Sequence, residues 1–271
     1  MVKDYKHLEL VEQDITGGKI SRDTISKIAS SDATELTISG LRQDTFEYLI
    51  NNFGNRFNKI NFWKCPRVED LSPLASLSKI KAIDWFWNQK SEALWDFSKN
   101  TSLISLHLRD FQNVKTISEL SKSTSLEEID LNGGLWRKNE IDSLEPLSKI
   151  KTLKSLSFSS NLIDKRVEPI TRMMCLEEVY FPTNIFTTEQ IAWLTSKIGG
   201  RVKSDVLAPF RDLGEGLYKN SKGENIDTLV IGKRKPFLDS KKSSEKLNKY
   251  INNFNELVKF FKDNPTVGEP L

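Results

Sequence analysis

Asp84, His107 and Asp130 follow one another at intervals of 23 residues. An imidazole set between two carboxylates is drawn toward its protonated form, which suits an acid-sensitive contact. No nucleophile is evident beside it, so the group does not read as a catalytic dyad. The alternative is three ordinary solvated polar residues. A second series runs at the same interval: Trp63, Phe86 and Arg109, with Trp87 just beyond. Trp and Arg are the residue types that most often become binding hot spots, and Phe adds apolar area beside them. On the wet side of a strand such bulk does nothing for a core. The series therefore points to binding, unless Trp63 and Phe86 fold onto each other or lie under a loop.

Other chemistry is sparse. The chain has 2 histidines, His7 and His107, so HExxH and most histidine-based motifs are excluded. Gly17-Gly18-Lys19-Ile20 lacks the spacing and hydroxyl of a phosphate loop, and Gly214-Glu215-Gly216 lacks the third glycine of a dinucleotide fingerprint. Cys65 and Cys175 stand 110 residues apart without a CxxC pair and read as reduced, inert core thiols. The expectation is a protein that is not an enzyme, without cofactor or metal. A net charge of +3 argues for no nucleic-acid partner, and no segment approaches the roughly 20 apolar residues that span a bilayer. "MVKDYKHLELVEQD" holds no apolar run that could act as a signal peptide, so a cytoplasmic location is expected.

The interval of 23 comes from a repeat. Written L-x-x-L-x-L-x-x-N/C, it starts at positions 33, 57, 80, 103, 126, 153 and 176, separated by 24, 23, 23, 23, 27 and 23 residues. Leu153, Leu156, Phe158 and Asn161 form the cleanest copy. The x-L-x-L-x stretch suits a short strand with two residues facing in. The Asn or Cys then turns the chain, where a side chain can satisfy buried backbone groups. The preceding Leu71, Leu74 and Leu77 step by three, which suits a 3₁₀ segment. No single coil buries its apolar side alone, so neighbours must stack.

"VEDLSPLASLSKIKAIDWFWN" and "IDSLEPLSKIKTLKSLSFSSN" are similar to leucine-rich repeats, and in their L-x-P-L step to the short bacterial internalin-like class. The resemblance covers residues 57 to 184 well and 33 to 199 loosely. It implies an α/β solenoid with a curved parallel sheet on the concave face and helical or 3₁₀ segments on the convex face, a fold usually used to bind proteins. Aromatic residues (Phe62, Trp85, Phe158, Phe181) replace several consensus leucines, and a four-residue insertion falls near "GGLWRKNEI".

A solenoid needs capped ends. Residues 1–32 are expected to cap the start, with Tyr5, Leu8 and Leu10 at repeat-like spacing and a short helix in "SRDTISKIASS". Residues 33–199 form the repeats, with a helix in "DTFEYLINNFG" capped by Asp44 and stopped by Gly54. Thr187-x-x-Gln190 makes a capping box for a helix ended by Gly199 and Gly200. Residues 200–271 close the chain with a hairpin-like strand, "DTLVIG", and a helix whose stripe is Leu247, Ile251, Phe254, Val258 and Phe261.

The repeat phasing sorts outward residues into columns. Thr37, Asn61, Asp84, His107, Asp130, Ser157 and Tyr180 form the middle column, and Ser39, Trp63, Phe86, Arg109, Asn132, Ser159 and Pro182 the one after it. With the column before them, five carboxylates face Lys59 and Arg109, a net −3 without His107. The expected site is Trp63, Phe86, Trp87, Arg109, Asp84, His107, Asp130, Asn132 and Tyr180, gripping a protein partner, with a basic one suited to the acidic columns. Alternatives are an immunity-type inhibitor of a toxin or enzyme, and nucleic-acid binding through the basic stretch "GKRKPFLDSKKSSEKLNK".

Overall fold

A computed structural model describes residues 6–134 and 139–271. Tyr5 and the insertion residues 135–138 lie outside the described residues. The chain divides into two compact units, the first ending at Asp164 and the second running from Lys165 to Leu271.

In the first unit, β1 (His7–Leu10), β2 (Glu35–Ile38), β3 (Lys59–Trp63), β4 (Ala82–Asn88), β5 (Ser105–Phe111) and β6 (Glu128–Leu131) pair in chain order. After the short strand β7 (Glu140–Ile141), β8 (Ser155–Phe158) joins beside β6, and every pairing is parallel. The register follows the repeat, with Leu36 opposite Ile60, Ile60 opposite Ile83, Ile83 opposite Leu106 and Leu106 opposite Ile129. These side chains are fully buried, and two residues further on Ile38, Phe62, Trp85, Leu108, Leu131 and Phe158 make a second inner layer. Each such side chain contributes roughly 1.5–3 kcal/mol by leaving water. β1 carries the same register one coil earlier, with His7 opposite Glu35 and Leu10 opposite Ile38.

The chain returns between strands mostly through 3₁₀ segments, Ser72–Ser76, Phe97–Lys99, Ser118–Lys122 and Glu145–Lys149. Leu74, Leu120 and Leu147 bury completely from three of them, as the three-residue step requires. The turn residues work as expected. Asn88 Nδ2 donates to the Val68 carbonyl at 2.9 Å, and Asn88 Oδ1 accepts from the Ser91 backbone at 2.8 Å. Cys65 is buried, and desolvation pushes its thiol up to about 12, which leaves it inert.

Helix α1 (Arg22–Ser26) lies where a short helix is expected, and α2 (Gln43–Phe53) ends at Gly54. Its N-cap is Arg42, however, and Asp44 sits inside the first turn. The Thr45 hydroxyl accepts from the Arg42 N–H at 3.0 Å, so the capping oxygen comes from within the helix. The parallel pair β7 and β9 (Asn161–Leu162) completes the unit.

The second unit holds α3 (Glu168–Thr171), β10 (Glu178–Tyr180) and α4 (Thr188–Ile198). The capping box is present, with Thr187 Oγ1 accepting from Gln190 N and Gln190 Oε1 accepting from Thr187 N, both at 3.1 Å, and Gly199 is the C-cap. Strands β11 (Phe210–Asp212), β14 (Thr228–Val230) and β15 (Phe237–Leu238) form an antiparallel sheet, and β12 (Tyr218–Lys219) pairs with β13 (Asn225–Ile226). Helix α5 (Ser244–Asp263) buries Leu247, Phe254 and Phe261, while Ile251 and Val258 stay half-buried. Cys175 is exposed, not in the core. The segment before Leu176 is a turn in which Met173 and Leu176 point in and Met174 and Cys175 point out.

Candidate functional site

The outward side chains of β3, β4, β5 and β6 meet on one face of the first unit. Trp63 pairs with Phe86 and Phe86 with Arg109 in the sheet register. The two rings stack, with centroids 4.7 Å apart and planes tilted by 27°. Stacking does not hide them: Trp63 keeps 38% of its surface in water and Phe86 is half-buried. The Lys64 ammonium sits 5.6 Å from the Trp63 ring centroid. Asn61, Trp63, Asp84, Trp85, Phe86 and Arg109 line an open depression of about 250 Å³.

The end of each strand explains why Trp63 stands where it does. Gly40, Lys64, Trp87 and Asp110 occupy the same repeat position, and all have positive φ, between 54° and 71°. A left-handed residue there swings the chain out of the sheet after the last outward side chain. Trp87 is therefore half-buried within the turn and does not extend the stacked pair. Ser39 departs from its column for a related reason. It is fully buried, its hydroxyl accepting from Glu12 N at 2.7 Å and donating to the Gly17 carbonyl at 3.0 Å.

His107 lies opposite both Asp84 and Asp130 in the register, but it contacts only one of them. Nδ1 meets Asp84 Oδ1 at 2.6 Å, and Nε2 meets Glu128 Oε1 at 3.1 Å. Asp130 pairs instead with Arg109 Nε at 3.4 Å and accepts from Asn132 Nδ2. Asp84 Oδ2 is 3.4 Å from Lys59 Nζ. The hydrogen bond to Asp84 raises the His107 pKa against the opposing effect of burial, and Glu128 adds to it. Burial pushes Asp84 up, but the His107 hydrogen bond and charge with Lys59 outweigh it, and the carboxyl is held below its ordinary value. For Asp130 burial prevails over Arg109 and its value rises.

Ser105 brings the arrangement close to a known catalytic geometry. Its Oγ is 3.2 Å from His107 Nε2, while Asp84 holds Nδ1. This has the order of a nucleophile, base and carboxylate. Glu128 disables it as a base: it holds the proton on Nε2 and takes the Ser105 hydroxyl proton for itself at 3.0 Å. The Ser105 N–H is also engaged, donating to the Lys81 carbonyl at 3.0 Å, and is not free to stabilise an oxyanion.

Sequence phasing thus brings together Trp63, Phe86, Arg109, Asp84, His107, Asp130 and Asn132. It missed Glu128 and Ser105 as His107 partners, and Lys59 as an Asp84 partner. Tyr180 is 42% exposed and belongs to the second unit, where its hydroxyl donates to Glu178 at 3.3 Å. No group of metal-ligating side chains occurs among the described residues, nor a helix long and apolar enough to cross a membrane.

No protein-family model matches the chain, and no curated protein matches it. Among solved structures it is similar to an internalin of Listeria monocytogenes, with 14% identity and a TM-score of 0.40 over 65% of this chain and 55% of that one. It is also similar to internalin C2 of the same organism, with 18% identity and a TM-score of 0.34 over 60% of this chain and 77% of that one. The chain spans little more than half the length of the first. What makes the first unit a leucine-rich-repeat solenoid is its own 23-residue repeat, realised as parallel strands in strict register.

Proposed function

We propose that the chain is a non-enzymatic binding protein that docks a protein partner on the sheet face of its first unit. The observation that carries this reading is the Trp63–Phe86 stack, held in water at 4.7 Å beside Arg109. Repeat solenoids use such extended faces for binding. A rigid aromatic pair with an adjacent Arg also has the composition of an interface hot spot. The clamped imidazole supports the non-enzymatic part, since a base that is held protonated cannot activate Ser105.

The test is a paired affinity purification with the wild-type chain and the Trp63→Ala/Arg109→Ala double variant, followed by titration calorimetry on any protein that distinguishes them. Losing a hot-spot aromatic costs about 2 kcal/mol or more, some thirtyfold in Kd. Equal retention by a folded double variant would refute the docking site.

A further inference from the structure

The carboxylates of this site are occupied and its cations are not. Both oxygens of Asp84 are engaged, by His107 at 2.6 Å and by Lys59 at 3.4 Å, and 23% of its side chain is exposed. Asp130 is only 16% exposed, held by Arg109 and Asn132. The cations stand higher, Lys59 at 45% and Arg109 at 49%. The guanidinium of Arg109 carries five N–H donors. Its Nε reaches Asp130 at 3.4 Å, and its Nη2 stays 4.0 Å from Asp84, beyond hydrogen-bond reach. The planar fork is thus open to another carboxylate.

Lys64, on the far side of the aromatic pair from Arg109, contacts the Trp63 ring. The exposed acids are placed elsewhere. Glu35 and Glu128, at 43% and 50% exposure, lie at the starts of β2 and β6, whereas Trp63 ends β3 and Arg109 lies late in β5. The count of outward acids gives a negative sheet, but the arrangement places positive groups around the stacked rings.

Resting on the docking reading above, we propose that the site takes an acidic segment of a partner protein. An Asp or Glu carboxylate meets Arg109, and an apolar or aromatic neighbour packs on Trp63 and Phe86. The depression of about 250 Å³ has the scale of one or two side chains, which suits a short segment of this kind.

The test uses the full chain as bait for short random peptides displayed on phage, each selected clone then titrated against wild type, Trp63→Ala and Arg109→Gln, with folding checked by thermal melting. The expected clones depend on Trp63, carry Asp or Glu beside an aromatic or Leu, and lose about tenfold or more in affinity with Arg109→Gln. Clones that need Trp63 but are basic or neutral, or that bind Arg109→Gln undiminished, would overturn the acidic partner and leave the docking site standing. If no clone depends on Trp63, both readings fall.

Discussion

His107 shows how much one side chain organises on this face. It joins β4 to β6 through Asp84 and Glu128, so its protonated form is part of the folded structure. A raised imidazole pKa contributes stability that is complete below the ordinary value of 6.5 and is lost as pH rises through the folded value. Thermal melting should therefore show a decline in Tm above that range in the wild type, absent in His107→Asn, and imidazole NMR resonances should titrate above 6.5. A titration at or below it would contradict the clamp. Ser105 should stay unlabelled by fluorophosphonates at neutral pH, checked by mass spectrometry. Labelling at Ser105 would show that Glu128 fails to hold the imidazole proton. The Asp84–His107 contact was legible in the repeat because both residues fall at the same position of adjacent copies. Glu128 and Ser105 were not, since a diagonal contact depends on side-chain length and rotamer, which spacing does not encode.

At the scale of elements, inward positions of the strands were legible because the two-residue period and the 23-residue interval agree. The turn after each strand was not. Its left-handed residue is Gly40 in one copy but Lys64, Trp87 and Asp110 in the next three, and only the first announces positive φ. The copies differ in what surrounds that residue, which gives two expectations at one repeat position. A Cβ at Gly40 would lie 2.5 Å from the Gly17 carbonyl oxygen and 3.0 Å from Lys19 N, both backbone. Gly40→Ala should thus cost roughly 2 kcal/mol or more in denaturant unfolding. Lys64→Gly relieves about 1–2 kcal/mol of left-handed strain while losing the contact to Trp63, and should stay within about 1 kcal/mol of wild type. Equal losses at both positions would mean that crowding against the Gly17–Lys19 loop is not what requires glycine at 40.

For the molecule as a whole, stacked coils make stability a matter of neighbours. Leu106 is fully buried and lies between Ile83 and Ile129 in the register, so Leu106→Ala should cost about 2–5 kcal/mol. Hydrogen exchange should then rise in β4 and β6 as well as in β5; a rise confined to β5 would show that the coils do not share their core. Residues 201–238 were the least legible part, because two- and three-residue strands are too short to carry a period. The site itself belongs to the part where period, register and burial coincide, and the account rests on its standing open to a partner. The most direct test follows the Trp63 indole N–H and the Arg109 Nε–H in ¹⁵N NMR spectra while a captured partner or selected peptide is titrated in. The docking account predicts that these two signals shift together and saturate with the binding curve. If binding saturates while both stay in place and signals elsewhere move, the sheet face of the first unit is not where the partner docks.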